Sequence, residues 1–222
     1  MQIDLLEYGS LLSYTPPESS EISPEIENAN DVMYAIKNDS FIEDPPIQTS
    51  DWIAKTVQEN IRNLPFSAFF QPNTILVPVP KSTLVQPGSL WVPERIASAL
   101  VRNGIGKRAV ACLARVTPIR KAAWSGASNR PRPSEQYQTM GVQGSLSELK
   151  PKEIVLVDDI VTRGATFLGA ANRLVEAFPQ ARIQAFAAMR TISNSSEFEA
   201  LYEPKMGTIK YREDRDDSIR RP

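Results

Sequence analysis

Residues Ile154 to Thr166 read I-V-L-V-D-D-I-V-T-R-G-A-T. Ile154, Val155, Leu156 and Val157 are an unbroken aliphatic run, mostly β-branched, which suits a strand buried on both faces of a parallel sheet. Asp158 and Asp159 follow at what should be its carboxyl end, where open α/β folds bind ligands, and carboxylates there can accept hydrogen bonds from sugar hydroxyls. Thr162, Arg163, Gly164, Ala165 and Thr166 then form a small, hydroxyl-rich turn into an amphipathic helix expected over residues 165–178. The free N–H groups and dipole at such a helix start favour an anion. Gly164 permits a positive φ and lets a phosphate approach, while Thr162 and Thr166 can donate hydroxyls to it. One end of the stretch suits a ribose and the other its phosphate. Each part also has a plain explanation, since the aspartates could be solvated and the threonines could cap the helix. The conjunction is what points to a ligand. There is no G-x-x-x-x-G-K-[ST], and Gly164 with Gly169 does not make G-x-G-x-x-G, so neither an ATPase loop nor a dinucleotide site is supported.

Composition narrows the chemistry. With 222 residues, 41% apolar and 23% charged, the chain can bury one sizeable core with an appended subregion. No apolar run approaches the roughly 18 to 20 residues of a membrane span, and Met1 to Ser20 lacks the order of a secretion signal, so a cytoplasmic protein is expected. Cys112 is the single cysteine and sits in the apolar run Ala109 to Ala114, which excludes an internal disulfide and a cysteine zinc cluster. A buried, inert thiol is expected. The absence of histidine removes Ser-His and Cys-His nucleophiles and histidine metal sites. What remains is chemistry that works by positioning substrates and charges.

The net charge is −1, but it is segregated along the chain. Residues 1–51 hold eleven acids and one base, Lys37, whereas residues 95–134 hold nine bases and no acid. A nucleic-acid surface is one reading of the basic block, but only Trp124 interleaves it with an aromatic ring. A pocket for a strongly anionic small molecule fits better.

Strand and helix patterns alternate over the middle of the chain. Short apolar groups (Ile3, Leu5, Leu6, Leu11, Leu12) precede an exposed loop at residues 15–23. Helices are expected over residues 30–38 and from Ser50 or Asp51 to about Asn63, the latter capped by one of those two residues. Strands are expected at 74–79, 108–114 and 182–189, with a helix from Pro93 to Asn103. Residues 117–138 form a long polar loop, and residues 191–222 a weakly structured tail.

The stretch Ile154 to Thr166 resembles the phosphoribosyl-pyrophosphate signature of the type I phosphoribosyltransferases. The resemblance implies an α/β fold, a Rossmann-like parallel sheet flanked by helices, with a small N-terminal hood. On that frame residues 1–72 are the hood, 73–190 the core and 191–222 a charged tail. It implies that Asp158 and Asp159 bind the ribose 2- and 3-hydroxyls, that Thr162, Arg163, Gly164, Ala165 and Thr166 hold the 5-phosphate, and that Mg2+ rides on the diphosphate rather than on the protein. Arg163 stands where the family more often has a small hydroxyl residue.

Over Val32 to Arg190 the chain is most similar to the amidophosphoribosyltransferase-like proteins related to the competence protein ComF. Ala35-Ile36-Lys37, Val77-Pro78-Val79-Pro80 and Glu94 to Leu100 carry that likeness, with Arg115 and Thr117 at the start of a long loop. The cysteine-rich finger of those proteins is absent, and their arginine run after V-P-V-P is replaced by residues 81–92, which hold the single base Lys81. Pyrophosphate contacts are therefore expected from Lys81 and Ser82, with Arg115 and Lys121 from the basic block. The functions implied are transfer of a phosphoribosyl group to a nitrogen acceptor of unknown identity, non-catalytic regulatory binding of the same sugar diphosphate, or a ComF-like part in DNA uptake or processing. Oligomeric state is left open.

Overall fold

A computed structural model describes residues 1–17, 23–84, 86, 88–120, 130–144 and 151–222. In chain order the elements are β1 (Leu5–Tyr14), α1 (Pro24–Asn38), β2 (Phe41–Ile42), β3 (Ile47–Gln48), α2 (Thr49–Asn60), β4 (Ile75–Pro78), α3 (Val92–Arg102), β5 (Arg108–Ala109), β6 (Leu113–Arg115), α4 (Pro133–Gln138), β7 (Met140–Val142), β8 (Glu153–Val161), α5 (Ala165–Ala177), β9 (Arg182–Thr191), β10 (Tyr202–Arg212) and β11 (Asp217–Arg221). The main sheet has seven strands in the order β11-β10-β1-β9-β8-β4-β5. From β1 to β5 along that order all neighbours are parallel, while β10 and β11 are added antiparallel at the β1 edge. The chain is thus an α/β protein whose parallel sheet is flanked by helices.

The aliphatic run at 154–157 lies inside this sheet, and the strand period of two sorts its side chains onto two cores. Val155 and Val157 join Leu76, Phe186 and Ala188 against α1, α2, α3 and the phenylalanines Phe66, Phe69 and Phe70. Ile154 and Leu156 join Ile75, Val77, Ala185 and Ala187 against Phe167, Leu168 and Leu174 of α5. A central strand with both faces covered needs apolar residues at every position, which is why no alternation is visible in its sequence.

Three parts of the chain differ from expectation. Residues 191–222 are not a loose tail, because β10 and β11 lie in the main sheet and place Ile209 in the α5-side core. Of the short apolar groups before residue 15, Leu5, Leu6, Leu11 and Leu12 belong to one ten-residue strand, β1, which pairs with β9 and β10. The strand expected at 108–114 divides into β5, on the main sheet, and β6, which pairs with β7 in a separate two-stranded ribbon. That ribbon spans the long polar segment, in which α4 lies.

One buried carboxylate links the N-terminal helices to each other and to α3. Asp39, just past α1, accepts a hydrogen bond from the backbone N–H of Ser50 at 2.8 Å and pairs with Arg95 of α3 at 2.8 Å. The start of α2 is therefore capped from α1 instead of by Ser50 or Asp51. At the opposite side of the sheet a buried pair joins β9 to β10. Arg190 Nη2 lies 2.5 Å from Glu203, and its Nη1 donates to the Glu203 carbonyl at 2.7 Å. Among the described residues, no helix is long and apolar enough to cross a membrane.

Removing one member of a buried ion pair strands the other. Arg190→Met is expected to destabilise the protein by about 3–5 kcal/mol in urea denaturation. A loss under about 1 kcal/mol would show that β10 does not depend on this pair.

Candidate functional site

The last pairing between β8 and β4 is Pro78 with Val157, followed only by the Val79 N–H donating to the Val157 carbonyl at 2.9 Å. From Asp158 to Val161, β8 continues against β9 alone. The strand is longer than the aliphatic run, so both aspartates lie within it. Their backbone edge on the β4 side opens into a crevice at the carboxyl end of the sheet, the place where parallel sheets hold ligands.

Asp158 continues the α5-side register of Ile154 and Leu156, and Asp159 lines a cavity with Lys37, Val92 and Pro93 on the α1–α3 side. The alternation then breaks, with Ile160 on the α1–α3 core and Val161 on the α5 core. Asp158 Oδ1 accepts from the Asp159 N–H at 2.9 Å, and Asp159 Oδ1 accepts from the Ile160 N–H at 2.8 Å. Burial pushes the Asp158 carboxyl well above the usual carboxylate range. The charge and hydrogen bond of Asp159 add to that, while the Asp159 backbone N–H and the Arg115 guanidinium oppose it.

Beyond β8 the chain turns through Thr162 and Arg163 to Gly164, which has φ 85° and precedes α5. No side chain caps this helix, so the threonines leave its first N–H groups to another acceptor. Gly164 is required twice over. Its φ is left-handed, and a Cβ there would lie 2.5 Å from Ile209 Cδ1 of β10. The neighbour that comes close to this glycine is a side chain of the C-terminal hairpin.

A cavity of about 280 Å3 lies over the turn. It is walled by Thr162 to Phe167 with Asp158, by Arg130 to Pro133, and by Arg215, Asp217 and Ser218. A second, more open cavity of about 430 Å3 has Asp158 and Asp159 on one side and Lys37, Lys81, Ser82, Arg115 and Arg120 around it. The two adjoin, since both are lined by Asp158, Ile160, Gln136 and Thr166.

The structure thus brings Asp158, Thr162, Arg163, Gly164, Ala165 and Thr166 to one cavity, and Asp158, Asp159, Lys81, Ser82 and Arg115 to the other. Lys121 lies outside the described residues. Arg115 is only 5% exposed, and its guanidinium is already engaged. It donates to the Lys81 carbonyl at 2.9 Å, to Thr139 Oγ1 at 2.5 Å and to Gln136 through both backbone and side chain. Burial lowers its pKa to about 10, with Asp158 holding the charge in place. It fixes the Lys81 loop and faces Asp158 more than it offers hydrogen bonds to a ligand. Lys81 donates to Ser89 Oγ at 3.3 Å, a bond easily exchanged for a phosphate oxygen. Cys112 is buried, which pushes its thiol up to about 11 and leaves it inert.

Sequence reasoning did not single out Lys37, Arg215 or Ser218 for the site. Lys37 had a signal as the one base in an acidic segment. Arg120, Arg130 and Arg132 belong to the acid-free block. Arg215 and Ser218 had none, because their place depends on β10 and β11 joining the sheet.

No family model matches the chain, and no curated protein matches it. Among solved structures it is similar to a hypoxanthine-guanine phosphoribosyltransferase from Bacillus anthracis, at 14% identity and a TM-score of 0.38 over 69% of this chain and 78% of that one. It is also similar to a hypoxanthine phosphoribosyltransferase from Staphylococcus aureus, at 11% identity and a TM-score of 0.35 over 75% of this chain and 78% of that one.

A carboxyl with a raised folded-state pKa holds a proton that the unfolded chain releases near the ordinary value of about 3.9, so stability is lost as pH rises from there through the folded value. Asp158→Asn is expected to raise the melting temperature at pH 7.5 by a few degrees and to flatten the decline above about pH 4. A variant that melts lower than the parent across the whole pH range contradicts a burial-dominated Asp158.

Proposed function

We propose that this chain binds 5-phosphoribosyl 1-pyrophosphate and transfers its phosphoribosyl group to a nitrogen acceptor, as a phosphoribosyltransferase. The observation that carries the reading is the joining of two cavities at Asp158. One is built on an uncapped helix N-terminus, and the other is ringed by Asp159, Lys37, Lys81 and Ser82. A sugar phosphate spans such a pair, with its ribose between the aspartates, its 5-phosphate on the turn from Thr162 to Thr166 and its diphosphate toward Lys81.

In transfer, the bond from the anomeric carbon to the diphosphate oxygen breaks, the acceptor nitrogen supplies the electron pair of the new bond, and the nitrogen gives up a proton. Positive charge develops on the ribose as the leaving group departs. The carboxyl groups of Asp158 and Asp159 hold the hydroxyls, Asp159 lies beside that charge on the open side, and Lys81 and Lys37 attract the departing diphosphate. Among the described residues no three His, Cys, Asp or Glu side chains cluster as a metal cage. Mg2+ keeps most of its waters and takes ligands from substrate phosphates, so a diphosphate beside Lys37 and Lys81 would carry it without a cage of protein ligands. Bound there, it would neutralise charge on the leaving group.

A second reading, regulatory binding without turnover, is favoured by one observation. Lys81 is the only base in residues 81–92, and the nearby Arg115 is committed to protein acceptors. Calorimetry with Mg2+ and 5-phosphoribosyl 1-pyrophosphate tests the shared binding claim, and pyrophosphate release with ammonia and free nucleobases separates the two. Saturable binding is expected, weakened about tenfold in Asp159→Asn by the loss of a charge-assisted hydrogen bond. Absence of binding removes both readings. Binding without pyrophosphate release for any acceptor leaves the regulatory one.

A further inference from the structure

The hairpin of β10 and β11 reaches the phosphate turn from the far end of the chain and is bonded to it. Arg220, in β11, donates from Nε to the Thr162 carbonyl and from Nη1 to the Tyr8 hydroxyl, both at 2.7 Å, and from Nη2 to the Thr191 carbonyl. One guanidinium thereby joins the first residue of the turn to the end of β9 and to the middle of β1. The tip of the hairpin is docked on α4, where Asp216 accepts from the Ser134 N–H at 3.2 Å and from the Ser134 hydroxyl, and from the Tyr211 hydroxyl at 3.1 Å. Ile209 packs on Gly164.

The charges that this arrangement turns toward the cavity are unbalanced. Four arginines line it, namely Arg130, Arg132, Arg163 and Arg215. Of the acids, Asp217 is already joined to Arg212 by two hydrogen bonds, which hold its carboxyl below the usual range. Asp158 is held toward its neutral form by burial. Arg215 pairs with Asp214 at 3.4 Å, but both side chains are exposed, and such a pair yields readily to a phosphate. Arg130, from a separate segment of the lining, has a buried Nε with no hydrogen-bond partner among the described residues. Buried donors are nearly always satisfied, so this guanidinium has hydrogen-bonding capacity that the described residues do not take up, in a residue that lines the cavity.

We propose that the C-terminal hairpin is a working wall of the anion site, in which Arg215 and Ser218, together with Arg130 from a separate segment of the lining, bind the ligand's phosphate monoester over the N-terminus of α5. Arg220 is a positioning residue that sets the Thr162 carbonyl and so the shape of the turn. The proposal rests on the turn from Thr162 to Thr166 being the phosphate end of the site, and it adds that a segment from outside the parallel core selects for that phosphate. Arginines from separate segments of the lining supply charge and fork geometry for a dianion that the helix N-terminus alone does not.

Calorimetric titration with ribose 5-phosphate and with ribose separates the two claims. The parent protein is expected to bind ribose 5-phosphate. Arg215→Gln, Ser218→Ala and Arg130→Gln should each bind it at least fivefold more weakly, while their affinity for ribose and their melting temperatures stay within error. Arg220→Lys keeps the charge but not the three-way fork, and should lower the ratio of ribose 5-phosphate to ribose affinity. Arg102→Gln, on the exposed pair with Asp51, serves as the charge control and should bind as the parent does. If the parent binds ribose 5-phosphate and all of the Arg215, Ser218 and Arg130 variants bind it equally well, the hairpin proposal is overturned and the turn assignment stands. If the parent shows no preference for ribose 5-phosphate over ribose, the turn assignment fails and takes the hairpin proposal with it.

Discussion

Everything at the site depends on β8 running past its partner β4. Within the sheet, from Ile154 to Val157, the strand is locked between two neighbours and two apolar cores, and its side chains have no chemical freedom. Past Val157 the β4 side falls away, and the same rigid strand carries Asp158 and Asp159 into the crevice. Adjacent strand residues point to opposite faces, so a pair of neighbours in sequence becomes a pair of carboxylates on two sides of one ridge. Asp158 faces the α5 side and lines both cavities, and its pKa is raised there. Asp159 lines only the open cavity. One strand end thus supplies two carboxyls of different character without any loop having to be ordered for them.

The same strand end leads into the phosphate turn, and here the structure leans on the rest of the chain. Gly164 must hold a left-handed conformation and must also leave room for Ile209. Arg220 holds the carbonyl of Thr162, and the buried Arg190–Glu203 pair holds β10 to β9. The hairpin therefore restrains the turn from behind while Arg215 and Ser218 line its cavity from the side. At the other end of the crevice, Asp39 plays a comparable part, joining α1, α2 and α3 through Ser50 and Arg95 so that Lys37 is carried to the rim of the second cavity.

How much of this was legible in the sequence follows from where each residue is buried. β8, β4, α3, α5 and β9 lie in the two-faced core, so their apolar runs and helix periods are strong and were readable as strand and helix in the right order. β1 is equally buried but carries Gly9, Ser10 and Ser13 inside it, and small or polar residues break the apolar run. They are there for reasons that only the fold shows, since Gly9 makes room for the Phe66 ring and the Ser13 hydroxyl donates to the Ala200 carbonyl at 2.6 Å. β10 and β11 lie at a sheet edge where little but Ile209 and Ser218 is buried, and charged, half-exposed strands read as a polar tail. The site divides along the same line. The carboxylates and the turn are contiguous in sequence and were visible there, whereas Arg215 and Ser218 reach them only through strand pairings of the hairpin with β1.

The central claim is that the N-terminus of α5 receives a phosphate group. Its most direct measurement is the amide spectrum of the isotopically labelled protein during titration with ribose 5-phosphate. The expected result is saturable movement of the Gly164, Ala165 and Thr166 amide resonances, much smaller with ribose. Saturable binding of ribose 5-phosphate that leaves those amides unmoved would contradict it.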